Sequence, residues 1–263
     1  MKRHEPSRGI GCAAAGMLAL LMGLVTPFAI PAQALTPEEI IRRAEQTVFP
    51  DAYVMRVTLQ TVQPGREPAS MEMTVTYKRN VGSRIELLSP ARSRGIRFLQ
   101  KEDALWLFNP GAGTSQAIRL SPKAAFQGSV FSNRDVGDPQ YSLEYDMRLA
   151  GNETFDHPQL GNVSALLLEG AARNEQVAYS KVKLWVRASD FMLLQGEYYA
   201  KSGLLFKRAL FTGVRQTGGR DRPTVVRMVS YDQPDRESVL TISQLEERPD
   251  LPDSIFTLAA LTR

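Results

Sequence analysis

The sequence predicts a mainly β protein of the α+β kind, organised as one antiparallel β-rich domain. Three observations carry this expectation. Apolar residues recur at every second position in run after run, turn-forming residues separate most of those runs, and after the leader only two stretches break the period.

The chain opens with Lys2, Arg3 and Arg8, then an apolar run over 13–25, then Ala32-Gln33-Ala34, whose small-x-small form suits a signal peptidase. We expect a signal peptide over 1–34, cut after Ala34, and a mature domain over 35–263. A membrane-spanning helix is the rival reading. The apolar run is short of the ~20 residues a span needs, and Pro27 and Pro31 break its far end. Cys12 precedes the apolar run instead of closing it, so it is not placed for lipid modification, and no cysteine follows it.

Thr36-Pro37-Glu38-Glu39 reads as a helix start, with Thr36 as N-cap, Pro37 at the first helical position, Glu39 closing a capping box and Leu35 set to staple on Ile40. Ile40, Ile41, Ala44 and Val48 mark one apolar face, and the helix should stop near Phe49-Pro50. The period then changes from 3.6 to 2. Met55, Val57 and Leu59 alternate with polar residues. So do Met71, Met73, Val75 and Tyr77 after the Pro64-Gly65 turn, which predicts a hairpin with one wet face. Further strands are expected over 84–88, 95–100, 104–108, 115–120, 142–149, 163–169, 177–187, 191–199, 204–211, 224–231 and 238–245. So wide a meander must curl, close or split.

Residues 121–141 interrupt the rhythm. Pro122 to Phe126 suits a helical turn, and Ser132-x-x-Asp135 is a capping box before a short helix stopped by Gly137 and Pro139. An insertion of this kind has to lie across an end or an open face of the sheet, so it is the candidate lid, with Phe126 and Phe131 as anchors.

Composition narrows the chemistry. Beyond residue 34 there are 29 basic against 27 acidic residues, too even a balance for a nucleic-acid partner. With no cysteine and one histidine there, His157, thiolate metal sites, cysteine nucleophiles and His-rich zinc sites are excluded; no metal or cofactor is expected. His157 beside Pro158 reads as an exposed loop residue, and no Gly-x-Ser-x-Gly elbow exists to present a serine. Gly111-Ala112-Gly113 lacks the third glycine of a dinucleotide loop and reads as a hairpin turn. Glu102-Asp103 and the Asp250/Asp253 pair are explained by turns, so no enzyme activity is predicted. Basic residues gather at Arg79, Arg84, Arg92, Arg94 and Arg97, and again at Lys201, Lys207 and Arg208. Most read as a solvated strand face, with docking of anionic headgroups or an acidic partner as the other reading. Met55, Met71, Met73 and Met147 fall on the inward parity, where methionine fills core gaps or lines a cavity for variable acyl chains.

Three blocks, Ser89-Pro90-Ala91-Arg92-Ser93-Arg94-Gly95-Ile96-Arg97-Phe98-Leu99, Asp103-Ala104-Leu105-Trp106-Leu107-Phe108-Asn109-Pro110 and Gly128-Ser129-Val130-Phe131-Ser132-Asn133-Arg134-Asp135-Val136, resemble the LolA-like outer-membrane lipoprotein-sorting family. Trp185-Val186-Arg187, Tyr198-Tyr199, Gly203-Leu204-Leu205-Phe206-Lys207 and Leu251-Pro252-Asp253-Ser254-Ile255-Phe256 are similar to its later blocks. Two positions depart: the family pattern has an Asp where Val130 stands and a Leu where Val136 stands.

The resemblance implies a strongly curved antiparallel sheet forming an incomplete barrel, helices covering its open side, and an apolar cavity for acyl chains. It implies a periplasmic carrier that moves acylated lipoprotein or lipid between the inner and outer membranes. The partners would be an inner-membrane transporter of the RND or ABC type and an outer-membrane acceptor. The expected cavity lining is Met55, Val57, Leu59, Met71, Met73, Val75, Ile85, Leu87, Ile96, Phe98, Trp106 and Phe108, each set sharing strand parity. The alternative is an accessory or scaffold subunit with a solid core, docking on an RND-type envelope transporter through Arg92, Arg94 and Arg97.

Overall fold

A computed structural model describes residues 35–263 apart from Asp103, Asp138 and Gly218, and these form a unit of their own. The leader expectation over 1–34 lies outside the described residues.

Helix α1 (Pro37–Val48) starts as its caps dictate, with the Thr36 hydroxyl accepting from the Glu39 N–H at 3.2 Å and Pro37 in the first turn. The Glu39 carboxylate does not close a capping box. It turns outward to Arg42 and Arg43, which offer charged donors one turn on, at 2.7 Å each. Ile40, Ile41, Ala44 and Val48 are buried, as their spacing requires.

The strands follow in order: β1 (Ala52–Val62), β2 (Ala69–Lys78), β3 (Gly82–Ser89), β4 (Arg97–Lys101), β5 (Ala104–Phe108) and β6 (Ile118–Leu120). Helices α2 (Asn133–Gly137) and α3 (Tyr141–Glu144) interrupt them. Then come β7 (Tyr145–His157), β8 (Gly161–Ala172), β9 (Lys181–Arg187), β10 (Leu193–Tyr199), β11 (Leu205–Thr212), β12 (Arg215–Thr217), β13 (Arg220–Arg222), β14 (Val225–Ser230) and β15 (Glu237–Glu247), and helix α4 (Leu258–Leu261) closes the chain.

Among the described residues, thirteen strands make one antiparallel sheet in the order β6-β5-β4-β3-β2-β1-β15-β14-β11-β10-β9-β8-β7; β12 and β13 form a separate hairpin. The sheet is curved and does not close, so β6 and β7 are its two free edges. This topology explains the insertion. The chain leaves the sheet at one edge, after β6, and re-enters at the other, with β7, so residues 121–144 have to cross between the edges.

Three strand expectations shift, that over 115–120 being strand only from Ile118 on. The run expected over 142–149 begins with helix α3 and continues as strand to His157; most of β7 beyond Met147 is exposed on both faces, so no apolar alternation marks it, and a register shift between Leu149 and Gly151 breaks what parity there is. The run expected over 177–187 becomes strand only at Lys181.

The concave face carries the main core, in which Met55, Val57, Leu59, Met73, Val75, Ile85, Leu87 and Phe98 join α1, the crossing segment and the inner residues of β8–β15. A smaller cluster lies on the outer face, where Leu99 and Phe108 meet Phe256 and Leu261 of the C-terminal segment. His157 is not an exposed loop residue: at 1% exposure its Nδ1 accepts from the N–H groups of Gln159 and Leu160, both at 3.2 Å, so Nε2 carries the hydrogen and donates to the Phe211 carbonyl at 2.8 Å. Its ring satisfies the backbone where β7 turns into β8, a role that sequence context does not mark.

Candidate functional site

The site is the covered concave face. Its cover is the segment from Ser121 to Glu144, held by polar contacts along its length and by apolar anchors. Ser132 and Asp135 form the expected reciprocal cap: the Ser132 N–H donates to the Asp135 carboxylate at 2.7 Å and the Asp135 N–H to the Ser132 hydroxyl at 3.1 Å. The Asp135 carboxylate also accepts from the Tyr179 hydroxyl at 2.6 Å, and Tyr179 in turn accepts from the buried Lys207 ammonium at 3.2 Å. The Val130 N–H donates to the hydroxyl of Ser238 on β15 at 2.9 Å. Glu45 of α1 accepts from the Ser142 N–H at 2.9 Å and its hydroxyl at 2.7 Å, joining α1 to α3.

Between these ties, Phe126, Val130, Phe131 and Val136 are buried in the main core. Phe126 fills the β1–β5 half of the sheet, its ring centroid 5.0 Å from that of Phe98. The other half is less completely filled. A cavity of about 50 Å³ lies among α1, the start of β1, the crossing segment and β10, β11, β14 and β15, walled by Ile41, Val48, Met55, Phe131, Val136, Leu193, Tyr198, Phe211, Val226, Met228 and Leu240. At ~10–15 Å³ per water-sized group, that is room for about three to five such groups.

The cavity's polar rim is committed elsewhere. The Tyr141 and Tyr198 hydroxyls bond to each other at 2.7 Å. Burial raises the pKa of Tyr141, Tyr145, Tyr179 and Tyr198, with neighbouring carboxylates adding to the rise, so these hydroxyls stay protonated. Burial lowers that of Lys207 against the pull of Asp135 and Asp232. Among the described residues, no group of three or more His, Cys, Asp or Glu is placed to hold a metal ion, and no helix is long and apolar enough to cross a membrane.

Of the twelve residues expected to line a cavity, eight are buried on the concave face, and Met71 and Ile96 pack half-buried against them. Only Met55 borders the existing cavity. Trp106 and Phe108 are corrections: both belong to the outer cluster. The reason is register. Lys101 pairs with Ala104 across a two-residue turn, so Phe98 sits opposite Leu107, and Leu99 opposite Trp106. The inward parity therefore switches from even to odd between β4 and β5, and Leu105 and Leu107 take the inner positions. All four of these β5 residues are apolar, so alternation carried no signal there.

The walls from β10, β11, β14 and β15 were also missed. Their sequences alternate correctly, but nothing local says that their inner faces meet α1. Phe126 and Phe131, the expected anchors, are buried at 1% and 3% exposure.

The expected arginine patch is divided. Arg92 is exposed, Arg94 donates to the Leu88 carbonyl at 3.0 Å, and Arg97 reaches the Arg263 carbonyl at 2.6 Å while lying 5.1 Å from the Phe108 ring centroid. Arg97 is thus a tether for the C-terminus. Asp250 is held by Arg248 at 2.8 Å and Asp253 by Lys78 at 2.7 Å, consistent with turn and ion-pair roles.

Three solved structures share this architecture. A LolA superfamily protein from Nitrosomonas europaea is 32% identical, with a TM-score of 0.77, covering 85% of this chain and 98% of its own. A domain ascribed to outer membrane lipoprotein sorting, from Vibrio parahaemolyticus, is 18% identical, with a TM-score of 0.74 over 86% of this chain and 98% of its own. A DUF1329 family protein from Desulfovibrio piger is 22% identical, with a TM-score of 0.72 over 86% of this chain and 100% of its own. At those identities the last two speak for the fold alone. A family model described only as an uncharacterized protein matches residues 80–263. No curated protein matches the chain.

Proposed function

The chain belongs to the LolA superfamily, and from that premise we propose that it is a non-enzymatic periplasmic carrier that binds the acyl chains of lipoproteins or lipids beneath the crossing segment and moves them between membranes. The carrying observation is the pairing of a continuous apolar concave face with a cover that is tied down by a handful of polar contacts.

Energetics support the reading. An acyl chain of ~16 carbons loses on the order of 13 kcal/mol of burial if it crosses water exposed, at about 0.8 kcal/mol per methylene. A carrier removes that barrier by supplying apolar surface, with no chemistry. Its own resting interior must also stay dry, and here Phe126, Phe131 and Val136 occupy the concave face. In this proposal they stand in for the absent chain. Ligand pockets for molecules of this size run to roughly 300–1,000 Å³, so loading requires the crossing segment to withdraw and the 50 Å³ cavity to grow several-fold.

That small volume also favours a second reading, in which the sheet is a filled scaffold that docks on an RND-type envelope transporter without carrying lipid. Native mass spectrometry of the protein from the cell envelope separates the two. The carrier reading expects an acylated adduct; a bare polypeptide mass, together with no uptake of a fluorescent acyl probe, would favour the scaffold. The same spectrum tests the leader, since cleavage after Ala34 leaves a chain that starts at Leu35.

A further inference from the structure

The basic cluster Lys201, Lys207 and Arg208 does not survive folding as a cluster. Lys207 is buried, its ammonium against the rings of Tyr179 and Phe206 at 5.3 and 5.1 Å. Arg208 is bound to Glu197 at 2.8 Å and lies 5.4 Å from the Tyr231 ring. Lys201 is the most exposed of the three, its side chain 70% exposed against 41% for Arg208, on the tight turn between β10 and β11. Three residues on, the same turn carries Leu204, which at 71% is the most exposed large apolar side chain among the described residues.

The fold then brings a second lysine to this turn. Lys123, at the start of the crossing segment, and Lys201 both line a groove of about 520 Å³ whose floor includes Val177, Ala178, Tyr179 and Phe206. The acid at this rim is Glu175, 3.5 Å from Lys201 and itself 84% exposed, while the Lys123 ammonium takes the Glu175 carbonyl. Tyr179 belongs to two places at once. Its ring lines the groove, and its hydroxyl bonds to Asp135, which borders the inner cavity.

We propose that the β10–β11 turn and this groove form the surface by which the protein docks on an anionic lipid bilayer, with Leu204 entering the acyl region and Lys201 and Lys123 meeting the headgroups. An exposed leucine three residues from Lys201, with Lys123 on the same groove as that lysine, fits that boundary, where apolar insertion and attraction to anionic lipid act together. Docking here would set the groove, and Tyr179 behind it, against the membrane from which a chain is taken. That last consequence rests on the carrier reading; the docking surface does not.

The test is co-sedimentation of the purified protein with vesicles of phosphatidylcholine alone and of phosphatidylcholine mixed with phosphatidylglycerol, beside an acyl-probe assay in vesicle-free solution. The expected result is preference for the mixed vesicles, weakened by salt. Lys123→Gln and Lys201→Gln should each cost roughly fivefold, and Leu204→Ser about tenfold or more. All three positions are exposed, so folding should be retained, and in Lys201→Gln and Leu204→Ser, which lie off the crossing segment, probe uptake should stay at its wild-type value. Equal binding to both vesicle types, or undiminished binding by Lys201→Gln and Leu204→Ser, would overturn the proposal. Vesicle preference without probe uptake would sink the carrier reading and leave the docking surface standing.

Discussion

Replacing Phe131 with alanine tests whether the crossing segment occupies the space meant for a ligand. Phe131 is 3% exposed and borders the cavity. Its backbone is pinned on both sides: its carbonyl accepts from the Phe126 N–H at 2.8 Å, and the neighbouring Val130 N–H is bound to Ser238 at 2.9 Å. A pinned backbone collapses little into a void, so the cost should fall within the ~3–5 kcal/mol typical of Phe→Ala in a core. For a domain of this size that is a fall in Tm of roughly 6–20 °C. The carrier mechanism adds a second expectation. A chain entering the wild-type protein must first expel the Phe131 ring, and in the variant it need not, so probe affinity should rise at least about tenfold, or ~1.4 kcal/mol. A saturating acyl probe, at about a hundred times its Kd, should then restore ~2.7 kcal/mol of stability. Calorimetry with and without probe reads both. Loss of stability with unchanged or weaker probe binding would refute the idea that Phe131 stands in for a ligand.

Three further outcomes follow from the same geometry. Leu107→Glu, on the concave face, should weaken probe binding, while Trp106→Glu should leave it unchanged and instead loosen the C-terminal segment, as read by hydrogen exchange around Phe256 and Leu261. Arg222→Ala removes donors to the Gln46 and Thr47 carbonyls at the end of α1, both at 2.8 Å, and a pair with Glu247; a loss of about 1–3 kcal/mol is expected, with exchange rising in α1 ahead of the central strands. Alkaline titration should show the buried tyrosines. Burial raises the pKa of Tyr141, Tyr145, Tyr179 and Tyr198, so their contribution is whole below pH ~10, where the unfolded chain begins to release its protons, and is lost as pH climbs further. Each steepens the fall by about 1.4 kcal/mol per pH unit. Lys207, with its pKa lowered, works in the opposite direction, since its burial penalty is relieved on approach to its unfolded value. Urea midpoints across this range should fall in the wild type and fall less steeply in Tyr198→Phe.

Much of the fold was legible because the signals were local. Thr36 and Pro37 start α1, Ser132 and Asp135 cap α2, and the alternation of Met55, Val57 and Leu59 with polar neighbours marks β1 as half-buried. Each depends on contacts within a few residues, so the sequence holds the needed information. The elements that resisted lack such a signal. Leu105 to Phe108 are apolar on both faces, β7 between Met147 and His157 is mostly exposed on both, and the β12–β13 hairpin offers only polar residues.

By itself, then, the sequence determined the class of the protein: over residues 35–263 a curved antiparallel meander with a helical start, one crossing segment, and no cysteine after Cys12. Tertiary structure decided which residues share the concave side. Register across a two-residue turn sent Trp106 and Phe108 outward, and the pairing of β1 with β15 brought distant strands to the same cavity as α1. It also dismantled both basic clusters, turning Arg97 to the C-terminus, burying Lys207, and leaving Lys201 beside Leu204 and Lys123. Alternation gives each strand two faces, but only pairing between strands, and the closure of chain segments over the sheet, chooses which face is hidden and what it meets.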